Sequence, residues 1–426
     1  MQEFLNLPKQ IQLRQLVRFV TITLGSSIFP FMAMYYTTYF GTFWTGLLMM
    51  ITSLMGFVGT LYGGHLSDAL GRKKVIMIGS VGTTLGWFLT ILANLPNAAI
   101  PWLTFAGILL VEIASSFYGP AYEAMLIDLT DESNRRFVYT INYWFINIAV
   151  MFGAGLSGLF YDHHFLALLV ALLLVNVLCF GVAYYYFDET RPETHAFDHG
   201  KGLLDSFRNY RQVFHDRAFV LFTLGAIFSG SIWMQMDNYV PVHLKLYFQP
   251  TAVLGFQVTS SKMLSLMVLT NTLLIVLFMT VVNKLTEKWK LLPQLVVGSL
   301  LFTLGMLLAF TFTQFYAIWL SVVLLTFGEM INVPASQVLR ADMMDHSQIG
   351  SYTGFVSMAQ PLGAILASLL VSVSHFTGPL GVQCLFVVIA LLGIYFTGPL
   401  GVQCLFVVIA LLGIYFTVVS AKMKKV

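Results

Sequence analysis

Charge is scarce in this sequence. Only 10% of its 426 residues are Asp, Glu, Lys or Arg, whereas 58% are hydrophobic. A soluble domain is nearer half apolar and a quarter charged, so too few polar residues remain here to cover a water-facing surface. Cysteine is scarcer still. Cys179, Cys384 and Cys404 all lie in apolar runs, and no disulfide framework or thiolate metal site follows from them. The nine histidines show no metal-ligand spacing; Asp162-His163-His164 is the one cluster. No G-x-x-x-x-G-K-[ST] stretch occurs, which argues against ATP-driven work. No nucleophile, base and metal set is visible, which argues against an enzyme. The opening MQEFLNLPKQIQLRQ carries both charge signs and lacks the apolar core of a signal peptide, so the first helix is expected to act as the start signal.

What is present is apolar length. Runs long enough to span a hydrocarbon core fall at about 14–40, 44–66, 75–95, 100–127, 138–160 and 165–187. They resume at about 219–241, 260–282, 291–313, 316–339, 351–374 and 379–397. The pattern predicts an all-α polytopic membrane protein of two six-helix bundles, residues 1–187 and 219–426. Residues 188–218 form a charged linker, within which LLDSFRNYRQVF could lie as an amphipathic helix on the membrane surface. With the N-terminus in the cytoplasm, 20 of the 22 Lys and Arg fall on the cytoplasmic side, and only Lys245 and Lys262 oppose them. Both termini are therefore expected in the cytoplasm, and a thirteenth crossing would export the basic tail. Yet FTGPLGVQCLFVVIALLGIY occurs twice in tandem, at 376–395 and 396–415. A perfect copy of one helix reads as an in-frame duplication or a sequence-assembly error; one copy is expected to complete helix twelve, the other to lie outside the bundle or pack poorly.

The sequence GGHLSDALGRKK (63–74) stands between the second and third runs. Its pattern Gly64-x-Leu66-x-Asp68-x-x-Gly71-Arg72-Lys73 resembles the signature loop of the major facilitator superfamily. Gly64 would admit a close helix, Gly71 a tight turn, and Asp68 would accept charge-assisted hydrogen bonds beside Arg72 and Lys73. With MLIDLTDESNRR, YTINYW, MQMDNYVPVHL and TFGEMINVPA, the chain is similar to the drug/proton antiporter branch of that superfamily. The resemblance implies two bundles around a central cavity, alternating access, and a gating role for Gly64, Asp68, Gly71, Arg72 and Lys73. It departs at three places: Glu112 and no arginine in helix four, no Gly-Pro in the Gly153-Ala154-Gly155 run, and Asn142 where relatives can carry a carboxylate.

A charged group inside a membrane helix costs several kcal/mol or more unless paired or hydrated, so each such group is a functional candidate. Glu329, mid-helix between Gly328 and Pro334, could load a proton or attract a cation; a paired structural glutamate is the rival reading. Asp237, beside Trp233, Gln235 and Asn238, could do the same, against a plain helix-end aspartate. Asp68 and Asp128 close their helices at the cytoplasmic side and complete the proton-coupling set, Asp68 as part of an interdomain latch; Asp128, which an ordinary helix-end acid would explain equally well, is expected on Arg18 or a loop arginine. Glu112 and Glu123 stay open between structural and proton roles. Lys262, Arg340 and Asp342 are near enough to helix ends to snorkel. Tyr35, Tyr143, Trp144 and Trp233, with Glu329 and Asp237, are the substrate-binding candidates; most other Met and aromatic residues pack or face lipid.

The expected function is export of hydrophobic, cationic drugs and dyes across the cell membrane, driven by the proton gradient without any cofactor. Protons, those small molecules and membrane lipids are the partners, with no nucleic acid, and the working form is expected to be a monomer. A lipid or lysolipid flippase, a metabolite carrier, and a non-transporting sensor are the alternatives; the paired membrane acids speak against the sensor.

Overall fold

The computed structural model describes residues 4, 6–96, 99–131, 134–190, 213–344 and 349–397. Most of the 188–218 linker and the second repeat beyond Thr397 lie outside the described residues. Among those described, ten apolar helical stretches are long enough to cross a membrane, but Lys9–Leu70 has 62 residues and Tyr352–Thr397 has 46. A straight helix of the first length would be ~93 Å long, against a hydrocarbon core of ~30 Å. Each must fold back on itself.

Glycine marks both reversals. Gly41 breaks the helical run Phe29–Leu70 at φ +75° and ψ 174°. The Thr37 and Thr45 hydroxyls then lie 3.2 Å apart, whereas eight residues of unbroken helix would separate them by about 12 Å. Gly378 breaks Ala359–Thr397 in the same way, at φ +64° and ψ −174°. Ala359 packs near Gly230 and Thr397 against Gly225, so both arms of that hairpin lie along one neighbouring helix. Only a residue without Cβ adopts such dihedrals cheaply.

Splitting the two hairpins gives, among the described residues, twelve helices of the expected crossing pattern. α1 is Lys9–Ser26 extended by 29–40, α2 is 42–70, α3 Arg72–Leu92, α4 Pro101–Leu129, α5 Arg135–Phe160 and α6 Phe165–Tyr186. α7 comprises Arg217–Trp233, a 3-10 turn Met234–Met236 and Tyr239–Tyr247. α8 is Ser260–Thr286, α9 Leu291–Thr311, α10 Phe315–Asp342, α11 Ile349–Ser357 extended by 359–377, and α12 379–397. Before α8 a small antiparallel hairpin, β1 (Thr251–Val253) and β2 (Phe256–Val258), turns through Leu254 and Gly255, both at positive φ.

The helices group into two compact units, the described parts of residues 1–204 with 250–272, and of 205–249 with 273–426. In the first unit α4 is gripped by both α2 and α3. The approach of α2 is closest at Gly63, where a Cβ would overlap the Phe117 carbonyl. In the second, α9 and α10 meet with Gly328 set against the Phe302 backbone nitrogen. Membrane helices gain little hydrophobic drive from meeting each other, so such small-residue seams supply the packing. α4 and α10 each carry an interior proline, Pro120 and Pro334, at the twentieth residue of the helix.

The first repeat copy supplies the end of α11, the Gly378-Pro379 turn and α12 as far as Tyr395. Phe396 and Thr397, which open the second copy, extend α12 by two residues, with Phe396 stacked on Phe228 at 6.1 Å.

Candidate functional site

The α2–α3 turn holds the densest charge cluster described in the first unit. Gly71, at φ +101°, ends α2 and exposes the first amides of α3. Those amides are orphan donors at the positive end of a helix and call for an anion. Glu189, just past α6, supplies it: Arg72 N donates to Oε1 at 2.8 Å and Lys73 N to Oε2 at 3.1 Å. A Cβ on residue 71 would overlap that carboxylate, which is a second reason for glycine there.

Arg72 is largely buried at 12% exposure and holds two acids at once. Its Nη1 donates to Asp68 Oδ1 and to the Ser67 carbonyl, each at 2.9 Å, while Nε reaches Asp128 Oδ2 at 3.3 Å. Thr190 donates to the same Asp128 oxygen at 3.0 Å, and Lys73 Nζ to the Tyr184 carbonyl at 2.9 Å. Thus Gly71, Arg72, Lys73, Asp68 and Asp128 come together with Glu189 and Thr190, both from the start of the charged linker. Asp128 is on a loop arginine, Arg72, and not on Arg18, whose carboxylate neighbour is Glu123 at 4.0 Å. The close helix approach expected at Gly64 falls one residue earlier: a Cβ on Gly64 would meet Pro120 at an ordinary 3.9 Å, while Gly63 faces the backbone of Phe117.

In the second unit α7 is interrupted where Asp237 sits. The helix tightens into the 3-10 turn Met234–Met236, and Asp237 closes it with its amide bonded to the Met234 carbonyl. The Asp237 side chain is exposed and has no hydrogen-bond or ion-pair partner among the described residues. Beside it, Gln235 is fully buried with both amide atoms unpartnered, and Asn238 accepts from Ser368 at 2.9 Å. Glu329 lies half-buried on α10, directly after the Gly328 contact with α9. Between α7, α9, α10 and α12 is a cavity of about 200 Å³ whose walls include Trp233, Ser229, Ser299 and Asn332. Trp233 stacks on Phe302 at 5.1 Å. Asp237 and Glu329 are not among the residues lining this cavity.

The aromatic candidates separate by surroundings. Tyr35 is buried, its hydroxyl donating to Asn94 at 2.9 Å and sharing a hydrogen bond with Thr104 at 3.0 Å. Tyr143 and Trp144 are exposed on α5. Glu112 accepts from Ser116 at 3.3 Å and lies over Gly56 of α2.

With this arrangement in place, residues 16–368 match the Major Facilitator Superfamily. The chain belongs to that superfamily. Among its relatives is a protein of Planococcus maritimus named Na(+), Li(+), K(+)/H(+) antiporter, 26% identical over 87% of this chain and 90% of the relative. Multidrug resistance protein MdtH of Yersinia enterocolitica is 22% identical over 72% of this chain and 71% of its own length. Among solved structures, a POT family transporter in complex with 5-aminolevulinic acid superposes with a TM-score of 0.71 at 15% identity, covering 95% of this chain and 96% of the other. The nucleoside transporter NupG superposes with a TM-score of 0.67 at 12% identity, covering 94% and 99%. The molecule is thus a multi-pass membrane transporter of the superfamily and not an enzyme, and its fold is theirs.

Proposed function

We propose that this chain is a proton-coupled antiporter of the cell membrane that exports hydrophobic, cationic compounds by alternating access. The observation that carries this reading is the unpartnered Asp237 carboxylate at the break in α7. A carboxylate at such a place must be hydrated, protonated or paired with an incoming cation. Competition between proton and cation for one acid is a direct means of exchange, because each ligand favours the state that binds it better. Glu329 on α10 provides a second acid for the same exchange. Trp233, with its open cavity, Tyr143, Trp144 and Tyr35 are assigned to the compound, and Asp68 and Asp128 to the proton route. Gly64, Asp68, Gly71, Arg72 and Lys73 are assigned to the conformational gate. In this reading residues 1–187 and 219–426 are the two halves, 188–218 joins them, and both termini are cytoplasmic. The protein works as a monomer among membrane lipids, and the proton gradient replaces any cofactor.

The name of the MdtH relative agrees with drug export, as does the similarity of EFLNLPKQIQLR, MQMDNYVPVHL and TFGEMINVPA to the Gram-positive multidrug antiporter LmrP. The test uses inside-out membrane vesicles with an imposed pH gradient and a cationic dye. Glu329→Gln and Asp237→Asn are each expected to cut gradient-driven dye transport at least tenfold at equal protein level. Undiminished transport by Glu329→Gln would remove its coupling role. The Planococcus relative's name favours a second reading, exchange of monovalent metal ions for protons. Na+ or K+ then collapses the pH gradient in the same vesicles, and Asp237→Asn abolishes that response.

A further inference from the structure

Two arginines of the first unit lack a full complement of acceptors. Arg14 of α1 is fully buried; its Nε and Nη2 donate to the Tyr122 carbonyl at 3.0 and 2.6 Å, while Nη1 is buried without a partner. Arg18, one helical turn on, has a buried Nε with no acceptor. Among the described residues the pair share a single carboxylate, Glu123, at 3.8 and 4.0 Å. Those separations exceed the ~2.7–2.9 Å of a charge-assisted hydrogen bond. Other acids described in this unit are engaged elsewhere. Asp68 and Asp128 hold Arg72, Glu189 caps α3, Glu112 accepts from Ser116, and Asp131 bonds Asn134. Asp162 accepts from Thr259 and Ser261, and Asp188 from Gln10. Among the described residues these two cations therefore share one carboxylate, and Arg14 does so fully buried, where an uncompensated charge is costly.

Arg18 also stands at the wall of an open cavity of about 250 Å³ lined by α1, α3, α4 and α6. Among the described residues it is the one charged group lining that space. The body of the cavity is formed by apolar groups, among them Ile22, Phe29, Trp87 and Leu172. Its buried amide, Asn176, is spent on Thr83, Thr84 and the Ser80 carbonyl, so it has no need of a ligand.

We propose that this cavity binds an organic anion with an apolar body, its carboxylate or phosphate on Arg18 and its hydrocarbon along Trp87 and Leu172. The missing negative charge and the unfilled apolar space are adjacent, and one amphiphilic anion satisfies both. A fatty acid and an acidic phospholipid share this chemistry. The site goes beyond the cation exchange proposed for α7 and α10. It uses neither helix, so each proposal fails or survives alone.

The test is fluorescence quenching of the purified full-length chain in neutral detergent, with bromine-labelled decanoate and decylamine as probes. Bromodecanoate is expected to quench saturably and the amine not to. Trp87→Phe should remove the saturable component. Arg18→Gln should weaken binding at least tenfold and Arg18→Lys by much less. Glu123→Gln should tighten it, because the competing carboxylate is gone, so the proposal does not depend on Arg18→Gln folding normally. A second arm uses vesicles of brominated phosphatidylglycerol or phosphatidylcholine. Quenching by the acidic lipid alone supports the site with a headgroup as its source, and quenching by free decanoate alone supports it with a soluble anion. Equal quenching by decanoate and decylamine, or wild-type affinity in well-folded Arg18→Gln, would overturn the proposal.

Discussion

Replacing Gly63 by alanine is a sharp test of how the first unit is packed. An alanine Cβ at that position would lie 2.0 Å from the Phe117 carbonyl oxygen and 2.7 Å from its carbon, both backbone atoms of α4. Neither can rotate away as a side-chain tip would. α2 and α4 must therefore separate by roughly 1 Å, at an overpacking cost of about 1–3 kcal/mol. The seam continues through Gly59, where a Cβ would be 3.1 Å from the Ile113 carbonyl and from Ser116 Cβ. Movement at Gly63 is consequently transmitted along the whole α2–α4 contact. Gly64→Ala is the matched control, because its Cβ would meet only Pro120 at 3.9 Å. The assay is unfolding of the purified protein in mixed micelles, followed by helical content as denaturing detergent is titrated in. Gly63→Ala should unfold at a lower fraction of denaturing detergent, and Gly64→Ala within error of wild type. Equal stability of the two variants, or a larger loss from Gly64→Ala, would refute the packing argument.

Other outcomes are expected. Glu189→Ala frees the Arg72 and Lys73 amides and removes the anion at the start of α3, so hydrogen exchange at these amides should quicken about fivefold, for roughly 1 kcal/mol of helix-end stabilisation; unchanged exchange would show that the cap contributes nothing. Arg72→Lys should impair transport nearly as much as Arg72→Ala, because a single ammonium cannot reach Asp68, Asp128 and the Ser67 carbonyl together; full rescue by lysine would reduce the site to simple charge. Deleting residues 396–415 should leave transport and unfolding unchanged. The chain then reads Phe-Thr directly after Tyr395, as it does now, so the contacts of Phe396 and Thr397 with Phe228 and Gly225 are restored by Phe416 and Thr417. Loss of transport on that deletion would give the second copy a function.

Helix number and type were legible in the sequence because one physical length, the thickness of a hydrocarbon core, sets both. The breaks read at 40–44 and 374–379 match the reversals at Gly41 and Gly378 closely. The α2–α3 loop was legible for a related reason: a glycine turn followed by basic residues has few physical uses at a membrane border. Glu189 was missed because its partner amides are 117 and 116 residues away and nothing local marks an acid as a cap. Gly63 and Gly64 are indistinguishable in one dimension; only the position of α4 decides which of them can be replaced. The interruption of α7 left no proline or glycine at the break, since the residues from Trp233 to Asn238 all tolerate a continuous helix. The starved charge of Arg14 and Arg18 was likewise invisible, because a count of basic residues near a helix end explains their presence by topology alone. Apolar composition therefore determined that this chain crosses the membrane many times and where it turns. Tertiary structure decided which glycines touch, which acids pair and which cations are left short of partners, because those facts depend on neighbours far apart in the chain.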